Sequence, residues 1–112
     1  MSFKDRKDTR LESDQFISYR VYDSQNRVCD EGMAKTKDIS RSGVAVENRR
    51  PMEIGARVEI TIALSEELIK TDAKVRNVNE IDEQNFQIGL QFVKISDEEL
   101  DKLSKEFPNL MV

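Results

Sequence analysis

The stretch Val58-Glu59-Ile60-Thr61-Ile62-Ala63-Leu64 puts Val58, Ile60, Ile62 and Leu64 on one face of an extended chain and Glu59, Thr61 and Ala63 on the other. Phe86-Gln87-Ile88-Gly89-Leu90-Gln91-Phe92-Val93 repeats the pattern, with Phe86, Ile88, Leu90 and Phe92 in phase. A period of two means one face buried and one face wet, which is the mark of antiparallel sheet. Working outward, Phe16 to Tyr22 reads as another strand, with Ile17, Tyr19 and Val21 alternating against Ser18, Arg20 and Tyr22. Val44–Ala45–Val46 and Ala73 to Val78 add two more, and Arg27 to Ile39 is a weaker extended stretch with a candidate break at Gly32. Turn clusters separate them at Asp23–Asn26, at Asn48–Gly55 with Pro51, and at Asp82–Asn85.

Six short strands in 112 residues predict an all-β fold, a small closed six-stranded antiparallel barrel, because closure removes unpaired strand edges. One C-terminal helix completes it. Ser96 followed by Glu99 is a capping-box pair, Leu100, Leu103 and Phe107 recur at helical spacing, and Pro108 ends the run. That helix is expected to lay its apolar stripe across the barrel. The organisation expected is a flexible polar arm over residues 1–14, with only Phe3 and Leu11 to bury, leading into a barrel and helix over residues 15–112.

Composition excludes several functions. Charged residues make up 36% of the chain and hydrophobic ones 38%, so a small core under a densely charged surface is expected. No apolar run approaches the roughly 18 residues of a membrane span, and no leader pattern opens the chain, so membrane insertion is not expected and the location expected is cytoplasmic. Eighteen basic against 22 acidic residues leave a net charge of −4, which argues against nucleic acid or an anionic bilayer as partner. Histidine is absent, Cys29 is the single cysteine, tryptophan is absent, and five Phe and two Tyr are the only aromatics. There is therefore no His or Cys set for a metal, no intrachain disulfide, and little material for a base-stacking platform. Cys29 lies inside an extended stretch and is expected to be a buried or half-buried apolar residue. An enzyme is not expected: phosphodiester cleavage wants a metal cage or a poised base, and neither stands out.

Two clusters stand apart from the scaffold. Arg6–Lys7–Asp8–Thr9–Arg10 places two arginines in a segment with little apolar reason for order. Asp38–Ile39–Ser40–Arg41–Ser42–Gly43 is read as a polar loop between strands, holding a carboxylate, a hydroxyl and a glycine at fixed offsets. A guanidinium fork matches the O6 and N7 acceptors of guanine or two phosphate oxygens, and it can lie flat on a purine. An aspartate complements the donors of the opposite guanine edge, serine serves base or phosphate, and glycine permits close backbone approach and positive φ. With nine arginines in the chain, an Arg-x-x-x-Arg pair arises by chance roughly 0.7 times, so a solvated basic patch is its plain alternative. Asp-x-Ser-x-x-Gly is rarer, at roughly 0.03 chance matches, with an ordinary Asx or Ser turn as its alternative. Their joint occurrence on either side of the first strand is what carries weight.

An Arg-x-x-x-Arg arm followed by a strand pair and then Asp-x-Ser-x-x-Gly resembles the PilZ domain. The resemblance extends over nearly the whole chain: Thr36–Val46 is similar to the family's central block, Pro51–Leu64 to the segment after it, and Ala73–Arg76 and Ile88–Phe92 to its later strands. It implies a six-stranded split barrel with a helix near the C-terminus, and a receptor for the second messenger cyclic di-GMP, with no cofactor and no catalysis of its own. By position, Arg6 and Arg10 would grip guanine and phosphate, Asp38 and Ser40 would read the guanine edge and its surroundings, and Gly43 would keep the loop tight. The message would pass to an unidentified downstream protein. A PilZ-like adaptor that binds only proteins is the alternative. Asp5, just before the arginine pair, departs from the basic or bulky residue common there and leaves one bound nucleotide against a stacked pair open. Arg76 on the later strand is a further possible contact, against the reading of a solvent-facing strand charge, and Gly89 is read as a bulge or a point of close packing.

Overall fold

The computed structural model describes residues 11–12 and 15–108. Alternation translates directly into strands. In β2 (Phe16–Tyr22), Ile17, Tyr19 and Val21 turn inward, and in β5 (Arg57–Ala63), Val58, Ile60 and Ile62 do so. β3 (Val28–Ser40), the first half of β6 (Leu68–Asp82) and β7 (Asn85–Phe92) alternate likewise, whereas β4 (Gly43–Asn48) buries four residues in a row, Gly43 to Val46. A two-residue strand, β1 (Leu11–Glu12), precedes them.

All neighbouring strands are antiparallel, and the ladders run β3–β2–β5–β6–β7–β4 and back from β4 to β3. The ring is a closed barrel of six strands. β1 pairs with the same edge of β3 that β2 uses, further along it, so β1 and β2 form an interrupted line against one long partner. Inside lie Ile17, Ile39, Val44, Val46, Val58, Ile60, Ile62, Ile69, Val75 and Ile88, essentially without solvent contact. Fully burying one such side chain is worth about 1.5–3 kcal/mol, so this interior holds the ring shut.

The closing helix, α1 (Asp97–Glu106), starts as its pattern requires. Ser96 Oγ accepts from the Glu99 amide at 3.1 Å, while the Glu99 carboxylate accepts from the Ser96 amide. Asp97, Glu98 and Glu99 set negative charge against the positive end of the helix dipole. Leu103 is fully buried in the barrel core, with Phe107 packed beside it. Glu106 accepts from the Ser65 hydroxyl at 2.7 Å, tying the far end of the helix to the β5–β6 turn.

Several local expectations change. Gly32 does not break β3, which runs through it in register with Tyr19. β6 begins at Leu68, five residues before the alternation becomes clear at Ala73. The segment Asp38–Gly43 is mostly ladder rather than loop: Asp38, Ile39 and Ser40 end β3, Gly43 opens β4, and only Arg41 and Ser42 lie between. Cys29 is exposed, not buried. The register between β2 and β3 slips there, leaving Cys29 as the extra residue between Asp30 and Val28, and a bulge residue drops out of the in–out alternation. Similar slips fall at Lys37 in β3 and at Arg76 and Ile81 in β6.

Candidate functional site

The turn between β3 and β4 is held by its own serines. Ser40 is fully buried. Its Oγ accepts from the Ser42 amide at 3.2 Å, lies 3.1 Å from the Ser42 hydroxyl and donates to the Gly43 carbonyl at 3.4 Å. The hydroxyl thus fixes the shape of the turn, in the manner of a serine turn. Gly43 has no positive φ; among the described residues only Asn26 and Gly55 do. What Gly43 supplies is room: a Cβ there would stand 2.2 Å from the Leu90 carbonyl oxygen on β7. Its absence lets β4 seat against β7.

Asp38 is half-buried and follows the bulge at Lys37. Bulges re-aim the side chains beside them, and this one sets Asp38 opposite Ala45 on β4. The register then continues across the barrel wall. Asp38 faces Ala45, Ala45 faces Gly89 on β7, and Gly89 faces Asn77 on β6. Beyond the inward row of Ile39, Val44, Leu90 and Val75, the next row of the same parity runs Ser40, Gly43, Gln91, Lys74. The middle of the two rows is thus built from Ala45, Gly89 and Gly43, with Gln91 the one large side chain. Gly89 is a point of close packing, as expected: a Cβ there would lie 2.7 Å from the Asn77 side-chain oxygen.

Cations gather on this wall of a chain whose net charge is −4. Arg41 lies in the turn and Lys74 at the end of the second row. The Arg76 bulge turns its guanidinium to the Gln91 side chain, which faces Gly43. Lys37 bridges Glu47 at 3.2 Å. With Lys37 balanced by Glu47, Arg41, Lys74 and Arg76 are the cations set around Asp38, and such charges raise the concentration of an anion at the surface. Among the described residues no three His, Cys, Asp or Glu side chains gather as a metal-binding group.

Of the residues singled out in the sequence, the fold brings Asp38, Ser40 and Gly43 into one hairpin. Arg6 and Arg10 lie outside the described residues. The residue after Arg10 is described: Leu11 is half-buried and pairs with Ile39, between Asp38 and Ser40, while Glu12 pairs with Asp38. Asn77, Lys74 and Gln91 were not singled out. Their parity was visible in the alternation, but their place beside the hairpin depends on register across the Arg76 bulge, which no local pattern encodes.

The comparisons agree with this architecture. The family model for the PilZ domain matches residues 4–106. Among solved structures, the chain is similar to the Bacillus subtilis inhibitor of motility MotI/DgrA, with 20% identity and a TM-score of 0.72, over 89% of this chain and 48% of that one. It is similar to the MrkH–c-di-GMP complex of K. pneumonia, with 24% identity and a TM-score of 0.72, over 95% of this chain and 52% of that one. It is also similar to the PilZ domain of YcgR from Escherichia coli solved with c-di-GMP, with 15% identity and a TM-score of 0.71, over 95% and 91%. The chain spans about half the length of MotI/DgrA and MrkH. No curated protein sequence matches it.

Proposed function

The chain belongs to the PilZ domain family, and from that premise we propose that it is a receptor for cyclic di-GMP. The arm with Arg6 and Arg10 closes over the Asp38–Gly43 hairpin when the nucleotide binds. The observation that carries this reading is the pairing of Leu11 with Ile39, which brings the end of the arm to the middle of the Asp-x-Ser-x-x-Gly segment. Two structures with the same fold, MrkH and the PilZ domain of YcgR, were solved with c-di-GMP.

In this reading Arg6 and Arg10 direct their guanidinium forks at guanine O6 and N7 and at phosphate oxygens. Asp38 accepts from the N1–H and N2–H₂ donors of a guanine edge. Ser40 acts through the turn that its hydroxyl organises, and Gly43 lets the hairpin seat against β7. Arg41, Lys74 and Arg76 add attraction for two phosphates. The closing of the arm over the nucleotide is the change that a partner protein reads. The domain carries out no chemistry on the nucleotide and works in the cytoplasm. Among the described residues no helix is long and apolar enough to cross a membrane.

Calorimetric titration with cyclic di-GMP, beside GTP and cyclic di-AMP, tests the proposal. Saturable heat with cyclic di-GMP alone supports it, and the stoichiometry decides between one nucleotide and a stacked pair beside Asp5. No heat and no amide shift with cyclic di-GMP would leave the protein-only adaptor as the reading.

A further inference from the structure

One edge of β3 is left uncovered by the other described strands over part of its length. The β3–β4 ladder ends at the pair Lys35–Glu47, yet β3 continues back to Val28. Over Val28–Ala34 only β2 pairs with β3 among the described strands. Arg50 shows which backbone groups face this open side. Its guanidinium donates to the Glu31 carbonyl at 3.3 Å while meeting the Asp30 carboxylate at 2.8 Å. In an antiparallel ladder alternate residues turn their N–H and C=O to the same side, so Met33 and Lys35 share the direction of Glu31. Lys35 faces β4, and Met33 and Glu31 face the gap where β4 has left.

The gap opens into a depression of about 600 Å³ lined by Phe16, Tyr19, Met33, Lys35, Arg49 and Arg50, among others. Phe16 is 57% and Met33 65% exposed, unusual for large apolar side chains beside a free strand edge. Glu47 is the only acid among the lining residues described, and it is bridged to Lys37. The Tyr19 hydroxyl and the Asp30 carboxylate hold the Arg50 guanidinium in its charged form. The lining therefore combines the open backbone groups of Met33 and the Glu31 amide, two apolar anchors, and a rim of Lys35, Arg49 and the Asp30-paired Arg50.

We propose that this edge of β3 is a docking groove for an extended, acidic segment of a partner protein, added as a strand beside Glu31 and Met33. Backbone pairing supplies the affinity of such additions, and side-chain contacts at alternate positions supply their specificity. A second copy of this chain does not suit the groove. Isologous pairing of the edge centred on Gly32 would set Glu31 opposite Met33 and Lys35 opposite Cys29, which offers Lys35 no acidic partner. The groove stands on residues separate from the Asp38–Gly43 hairpin, so the proposal goes beyond the nucleotide reading and does not need it.

The test uses the full chain, without nucleotide, and a nine-residue peptide of alternating Val and Glu with blocked ends. Amide NMR should show shifts confined to Phe16–Tyr19, Val28–Lys35 and Glu47–Arg50. A peptide with Lys for Glu should bind at least about tenfold more weakly, as should the original peptide to Arg49→Glu or Met33→Asp. N-methylation of alternate peptide amides should abolish binding, because it removes the strand donors. Both altered residues are exposed, and unchanged thermal unfolding together with unchanged nucleotide titration shows that a loss belongs to the groove. Shifts elsewhere, equal binding of the Lys peptide, indifference to both variants, or concentration-dependent self-association through the same amides would each overturn the proposal.

Discussion

Leu11 stands opposite Ile39 in the β1–β3 ladder, one residue beyond Arg10 on one strand and between Asp38 and Ser40 on the other. Ile39 is fully buried and Leu11 packs on the same core, so the contact is apolar as well as backbone. Below it, Gln15 and Thr36 lock the chain a second time. The Gln15 amide donates to Thr36 Oγ1 at 2.8 Å, and the Thr36 amide donates to the Gln15 carbonyl at 2.7 Å. The arm is thus anchored at the start of the barrel wall. Leu11→Asp removes a half-buried apolar contact worth about 1 kcal/mol and sets a charge against the buried Ile39. Its affinity for cyclic di-GMP should fall about tenfold in calorimetry, while the barrel keeps its cooperative thermal transition.

Asp38 and Ser40 should separate when each is replaced by alanine. Asp38→Ala, like Arg10→Ala, should weaken nucleotide binding by about 1–3 kcal/mol, the worth of a good bidentate base contact. Ser40→Ala empties a buried hydroxyl that holds the Ser42 amide, and it should lower unfolding stability by about 1–3 kcal/mol. Urea denaturation beside calorimetry distinguishes the two effects. A Ser40 variant of unaltered stability would refute the role given to its hydroxyl.

Gly43 and Gly89 face one another's strands but meet different neighbours. A methyl at Gly43 runs into the Leu90 backbone oxygen, which moves only with β7. Gly43→Ala should therefore cost at least about 1–3 kcal/mol, as a lower urea midpoint at constant slope. A methyl at Gly89 meets the end of the Asn77 side chain, which can rotate away. Gly89→Ala should cost less than Gly43→Ala, and adding Asn77→Ala should relieve the remainder, as coupling in a double-mutant cycle.

Two aspartates that open hairpin turns should titrate below the ordinary aspartate range. The Arg27 amide, at 3.0 Å, is the main cause at Asp23, and the Gln84 amide, at 2.8 Å, at Asp82. Each folded value is depressed, so each contribution to stability is complete above the unfolded value of about 3.9 and is lost as pH falls through the folded one. Carboxyl-detected NMR titration reads the two shifts directly. Asp23→Asn should flatten the acid limb of the stability profile if the turn amides act on the carboxylate charge.

The order of strands along the chain, the barrel and the helix are legible in the sequence alone, while β1, the start of β6 and the end of β3 are not. Period-two runs such as Val58–Leu64 leave one solution for burying their apolar face, and Ser96 with Glu99 marks a helix start within four residues of chain. The sequence also marked Asp38, Ser40 and Gly43, because a turn motif at fixed offsets is a local signal. Only the tertiary structure decided what those residues do. Ser40 could be read as facing outward until the fold buried it. Gly43 could be read as a conformational need until β7 showed a steric one. Cys29 could be read as core until a register slip turned it out. Bulges at Cys29, Lys37, Arg76 and Ile81 depend on how two distant strands share their hydrogen bonds, and no single strand carries that information. The same slips align Lys74, Gln91 and Asn77 with the hairpin, and the early departure of β4 uncovers the edge of β3. Side-chain period is a property of one segment, whereas register is a property of pairs.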